Sequence, residues 1–149
     1  MKLLEELKRK GVEKDMHELL CRIPYARFLG VDAERRGNEI TTFLPFSEHL
    51  VGNPRLPAIH GGVIGGLLEI TCVTQLLFDT SCDTVPKTID ISIDYLRSGK
   101  PLETYGRATV TRHGRRVANV RAEVWQEDRS RPIASARGHF LLTPLATHS

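Results

Sequence analysis

The segment from Ile59 to Cys72, IHGGVIGGLLEITC, sets one acidic residue, Glu69, inside an otherwise apolar run. On a helix, residues three and four positions away share a face. For Glu69 these are Gly65, Gly66, Cys72 and Val73, and none offers a positive charge or a good donor. A carboxylate without partners is costly to bury, and its proton affinity should rise as water is withdrawn. A titratable group kept in such a place is a candidate for nucleophilic or acid–base chemistry. Two other readings stay open at this point: Glu69 reaches a wet surface between subunits, or it pairs with an arginine from elsewhere in the fold.

The same segment opens with His60-Gly61-Gly62. Glycines at a helix start leave backbone N–H groups unobstructed at the positive end of the helix dipole. That suits a carbonyl oxygen gaining negative charge. Tight packing of the helix entry against a strand would ask for the same glycines. The eight-residue offset from Gly61 to Glu69 corresponds to roughly 12 Å at ~1.5 Å per residue. That is too far for both to act on one carbonyl carbon. If they cooperate, they come from different copies of the chain, so the spacing predicts a dimer with antiparallel central helices and two composite sites.

The elements that must hold these residues follow from periodicity. Lys2 to Lys10 and Lys14 to Arg22 read as two short helices divided by Gly11, and Ile23-Pro24 ends the second. Phe28 to Ala33 and Glu39 to Phe46 read as a strand pair turned at Arg36-Gly37-Asn38. Ser47 to Ala58, rich in Pro, Gly and Asn, reads as a loop. The apolar segment Gly61 to Phe78 exceeds strand length and reads as one long helix.

Four strands follow: Thr88 to Arg97, Tyr105 to His113, Arg116 to Gln126 and Arg131 to Leu142. In the first, Ile89, Ile91, Ile93 and Tyr95 alternate with Thr88, Asp90, Ser92 and Asp94; the second and third meet at Gly114 as a hairpin. The pattern is two strands, a buried helix and an antiparallel meander of four strands. A helix apolar nearly all round must be wrapped by the sheet.

Composition narrows the classes. The chain has 149 residues, 40% hydrophobic and 26% charged, enough for one domain with a sizeable core. No apolar run approaches the ~18 residues of a membrane span. MKLLEELKRK lacks the apolar stretch of a signal peptide. Cys21, Cys72 and Cys82 show neither metal nor redox spacing, which gives a reducing cytoplasmic location as the default. A net charge of +3 is too small to imply nucleic acid. Arg107, Arg112, Arg115, Arg116, Arg121, Arg129, Arg131 and Arg137 nevertheless crowd the C-terminal third. They serve either as solvated protection of strand edges or as a landing surface for a phosphorylated ligand.

His60-Gly61-Gly62 followed by Leu67-Leu68-Glu69 resembles the HGGxxxxLxD/E signature of hotdog-fold acyl-CoA thioesterases, of the phenylacetyl-CoA and 4-hydroxybenzoyl-CoA thioesterase-like groups. TIDISIDYLRSGKP and GRATVTRHGRRVANVRAEVW resemble the strands that follow the helix in that family. The resemblance covers residues 25–143 as the hotdog domain, leaving 1–24 as a helical extension and 144–149 as a tail. It implies an α+β hotdog fold, an antiparallel sheet wrapped around one long central helix, with extra N-terminal helices.

The resemblance also implies an acyl-CoA thioesterase, acting as a homodimer or a dimer of dimers. No metal or cofactor is implied beyond the coenzyme A of the substrate, and neither nucleic acid nor membrane is a partner. Glu69 would attack the thioester or activate water, and the Gly61 or Gly62 N–H would polarise its carbonyl. Asn53 resembles the family's substrate-orienting Asn, although its offset from His60 is one residue long. His60 would fix the loop and helix entry, with general-base catalysis by its ring as the alternative. Where some members have Ser or Thr one turn after the acid, this chain has Val73. The phosphates of coenzyme A would suit Arg97, Arg112, Arg115 and Arg116. Trp125 and Tyr95 read as core or sheet-face packing, with lining of the acyl pocket as the alternative, and Cys72 as an apolar filler rather than a nucleophile. Two rivals remain: a hotdog hydratase or dehydratase, and a non-catalytic acyl-CoA-binding hotdog protein.

Overall fold

The computed structural model describes residues 12–79 and 85–142. The expected helix Lys2 to Lys10, Cys82 and the tail 144–149 lie outside the described residues. Helix α1 spans Val12–Cys21 and α2 spans Pro24–Leu29. Pro24 therefore starts a helix rather than only ending one, because its fixed φ and missing N–H suit the first helical turn. Gly30, at φ 86, closes α2 by donating its N–H to the Ala26 and Arg27 carbonyls. Phe28 thus lies in a helix, and the first strand begins only at Asp32.

Strands β1 (Asp32–Arg36) and β2 (Glu39–Leu44) form a hairpin with Arg36 opposite Glu39. Gly37, at φ 62, supplies the positive φ that a two-residue loop needs. The segment expected to be a loop is more ordered. It holds a short 3-10 turn at Glu48–Leu50 and a small separate hairpin of β3 (Val51–Asn53) with β4 (Leu56–Ile59).

Helix α3 runs Gly61–Asp79, followed by β5 (Lys87–Tyr95), β6 (Thr104–His113), β7 (Val117–Trp125) and β8 (Ala134–Leu141). The six-stranded antiparallel sheet has the order β1-β2-β6-β7-β8-β5. This corrects the four-strand meander: β6, β7 and β8 are consecutive neighbours, but β5 pairs with β8 and stands at the edge. The clean alternation expected along β5 also fails at its start. A bulge between Thr88 and Asp90 adds one residue and leaves Ile89 54% exposed, whereas Ile91 and Ile93 pack against the core.

Alternation holds on β7 and β8, where Ala118, Val120, Ala122, Val124, Ala134, Ala136 and Phe140 point inward onto α3. By length and composition α3 would qualify as a membrane span, with a mean hydropathy of 1.5. This overturns the expectation that no such segment exists. Its place is the core: 61% of the span is buried, including Leu67, Leu68, Cys72 and Leu76. The polar residues on its inner face are satisfied locally. Thr74 donates to the Ile70 carbonyl, Thr71 donates to the Leu67 carbonyl, and Thr71 Oγ1 lies 2.7 Å from Thr42 Oγ1 on β2.

Candidate active site at the start and middle of the central helix

The first turn of α3 leaves its opening N–H groups without partners inside the helix, so each must find one elsewhere. His60 serves as the cap. Its carbonyl accepts from Val63 and Ile64, and its Nδ1 accepts the Gly62 N–H at 2.8 Å. The accepting Nδ1 puts the ring proton on Nε2. His60's own N–H donates to the Leu50 carbonyl at 2.8 Å, tying the helix start to the loop before it. The Gly61 N–H has no acceptor among the described residues.

Gly61 and Gly62 are therefore not equivalent. The Gly62 donor is engaged by the cap, whereas the Gly61 donor is open at the positive helix end. Gly61 is further fixed by Tyr95, whose hydroxyl donates to its carbonyl at 2.8 Å and whose ring would lie 3.5 Å from a Cβ at that position. Tyr95 is 55% exposed. It holds the helix entry rather than serving as core or sheet-face packing.

Glu69 lies two turns further along, half-buried, and forms no hydrogen bond or ion pair among the described residues. No arginine among the described residues reaches it. It lines a cavity of about 290 Å³ together with Ile70 and Val73 of α3, Ile23 and Tyr25 before and within α2, and residues 85–88 leading into β5. Val73, one turn after the acid, gives this cavity an apolar wall rather than a hydroxyl. Thr74 is fully buried on another face. Burial, and then the nearby Glu69 charge, push the Cys72 thiol up to about 12, so it stays protonated and is no nucleophile.

The remaining candidates are dispersed. Asn53 is exposed at the end of β3, with its Oδ1 accepting the Arg55 N–H at 3.0 Å within the β3–β4 turn. Arg97 donates to the Pro132 carbonyl at the end of the sheet where α3 begins. Arg112 is the next-to-last residue of β6, and Arg115 and Arg116 lie in the β6–β7 turn, at the opposite end. In register, Arg112 aligns with Asn119, His139 and Asp90. The five steps from Asp90 to Tyr95 span roughly 17 Å at ~3.3 Å each. Within one chain the four arginines do not form one cluster. Arg107, Arg121, Arg129 and Arg137 instead line a groove of about 610 Å³ along β6, β7 and β8. Trp125 stacks on Tyr105 at 6.1 Å, under the Arg129 guanidinium. Among the described residues no three His, Cys, Asp or Glu side chains gather as a metal site.

The model of the thioesterase superfamily matches residues 56–133, from β4 through the helix to the turn before β8. The chain belongs to the thioesterase superfamily. Membership makes it a thioester hydrolase. It is similar to the medium/long-chain acyl-CoA thioesterase YigI of Escherichia coli K12, 31% identical over 137 residues that cover 80% of this chain and 86% of that protein. A crystal structure from Chromobacterium violaceum is 36% identical, covers 97% of this chain and 99% of that one, and superposes with a TM-score of 0.77. A thioesterase from Haemophilus influenzae, 19% identical, shares the fold with a TM-score of 0.80 over 93% of this chain and 95% of that one.

Proposed function

We propose that this thioester hydrolase acts on acyl-CoA esters, releasing free acid and coenzyme A at two composite sites of a homodimer. The observation that carries the reading is the open Gly61 N–H on the same helix as an unpartnered Glu69, too far apart to share one substrate within a chain. Glu69 acts on the thioester carbonyl carbon, directly or by taking a proton from water. The Gly61 N–H of the other subunit receives the negative charge that builds on the carbonyl oxygen, a donor already oriented and needing no reorganisation.

The edge strand supports the dimer. Among the described residues β5 pairs only with β8, and Ile89 and Tyr95 on it, with Val85 and Leu96 flanking it, expose 43 to 55% of their surface. An edge strand that keeps exposed apolar side chains beside an open row of N–H and C=O groups is a template for a second copy. A two-fold axis makes that pairing antiparallel, and with it the helices behind the strands. Gly61 then faces the partner's Glu69 if the helices cross near residue 65, midway between the two. The same symmetry turns Arg97 and the partner's Arg112, Arg115 and Arg116 toward one end, as phosphate contacts for coenzyme A. Asn53 stands on the hairpin leading into His60, the part of the chain closest in sequence to the glycine entry. The YigI likeness supports coenzyme A as the thiol. The protein acts in the cytoplasm without a metal or further cofactor, and a dimer of dimers is the larger assembly.

The test is thiol release from a series of acyl-CoA esters by the parent protein, Glu69→Ala and Glu69→Gln. Turnover by the parent and its loss in both variants is the expected result. Full activity in both variants would sink the role of Glu69. Binding of acyl-CoA with no thiol release from any ester would instead favour the non-catalytic rival.

A further inference from the structure

Helix α2 comes before the residues that the family model matches, yet it forms part of the wall around Glu69. Tyr25 is the residue concerned. A Cβ at position 66 would lie 2.9 Å from Tyr25 Cε1 and 3.2 Å from its hydroxyl, so the ring sits flush on α3 because Gly66 has no side chain. Gly66 is three residues before Glu69, on the same helical face. The ring is held from behind by Phe28, stacked at 6.3 Å, and Phe28 in turn meets the His49 ring edge-on at 5.6 Å. The cavity beneath it has Glu69 as its one acidic wall, with Ile23, Ile70, Val73, Val85 and Pro86 making most of the rest apolar.

We infer that this cavity receives the apolar tail of the acyl group and that Tyr25, supplied by the N-terminal segment, sets how long a tail it accepts. The inference rests on the acyl-CoA reading above and goes beyond it by naming the specificity-determining residue. Beside the acid the lining is mostly apolar, with Lys87 and Thr88 at the start of β5, and such a cavity suits a hydrocarbon chain. Tyr25 closes it on one side and Val73 narrows it on the other. Trimming the first lengthens the space along the helix, and enlarging the second shortens it.

The experiment compares kcat/KM for saturated acyl-CoA esters of increasing length in four proteins: parent, Tyr25→Ala, Tyr25→Phe and Val73→Phe. Tyr25→Ala should shift the preference toward longer chains, with the ratio of long to short ester rising on the order of tenfold. Val73→Phe should shift it the opposite way. Tyr25→Phe keeps the ring and should keep the parent profile. Tyr25 is 48% exposed, so its removal leaves the core intact. An unchanged profile in an active Tyr25→Ala enzyme overturns the inference and leaves the functional reading standing. A shift in Tyr25→Phe as large as in Tyr25→Ala also overturns it, since the hydroxyl rather than the ring would then be responsible. Absence of thiol release by the parent from every ester overturns the functional reading, and this inference with it.

Discussion

Replacing Gly61 by proline deletes one hydrogen-bond donor and almost nothing else. Of the first four N–H groups of α3, Gly62 donates to His60 Nδ1, and Val63 and Ile64 donate to the His60 carbonyl. Only the Gly61 donor is open. Proline at a first helical position keeps a fixed φ compatible with the helix, and Gly61 does not need a positive φ. A Cβ there meets the Tyr95 ring at 3.5 Å, an ordinary contact. Folding stability should therefore hold or rise by about 0.4–1 kcal/mol, from the smaller freedom of the unfolded chain. Catalysis should fall. Loss of one preorganised oxyanion donor costs about 2.7–4 kcal/mol, or on the order of 10²–10³ in kcat. Steady-state thiol release, with kcat and KM separated, gives the number; a thermal melt monitored by circular dichroism confirms the fold. If Gly61→Pro folds like the parent and keeps kcat within roughly threefold, the helix start does not bind the thioester oxygen.

Three further outcomes follow from the same structure. Mixing Gly61→Pro with Glu69→Gln should restore about a quarter of parental activity, since about half of randomly exchanged dimers are hybrid and one of their two sites is intact. No recovery, with subunit exchange shown by native mass spectrometry, would count against composite sites. Gly106→Ala should lower the melting temperature on the order of 5 °C, because its Cβ would sit 2.7 Å from both Thr42 Oγ1 and Thr71 Oγ1 in a closed interior; overpacking of this kind costs ~1–3 kcal/mol. The Cys72 thiol, raised from 9.0 to about 12, contributes stability fully present below pH 9 and lost as pH climbs toward 12. The unfolded chain gives up that proton first. Cys72→Ala should thus flatten the decline of stability over this window in denaturant titrations, and Cys72 should resist alkylation in the native protein while half-exposed Cys21 reacts.

Where a signal is local, the sequence carried it. The apolar run after His-Gly-Gly ends one residue from where α3 ends, because a helix of that length buried on most sides leaves a continuous pattern. The Gly114 hairpin reads equally well, since its N–H closes on the Val117 carbonyl within the turn itself. Where a feature depends on what lies across space, the pattern misled. Strand β5 looked like the first of four consecutive strands, but the sheet curls round α3 and brings β2 beside β6, so β5 is displaced to the edge by β8. Tyr95 alternates like a core residue yet holds the helix entry. Tyr25 gave no sign in the sequence, because its partner is a glycine 41 positions away whose meaning is the absence of a side chain.

By itself the sequence determined the acid, the glycine entry, their eight-residue separation and the long helix that carries both. These are matters of covalent spacing and helical rise. It also gave the reason for proposing a site shared between two chains, since that separation is too long for one substrate carbonyl. Only the tertiary structure decided which glycine N–H is open, because that depends on where the His60 ring turns. The tertiary structure also placed the unpaired β5 edge, split the four arginines between the two ends of the sheet and lowered α2 onto the cavity beside Glu69. Each of these depends on how elements distant in sequence pack against one helix, and periodicity carries no information about that.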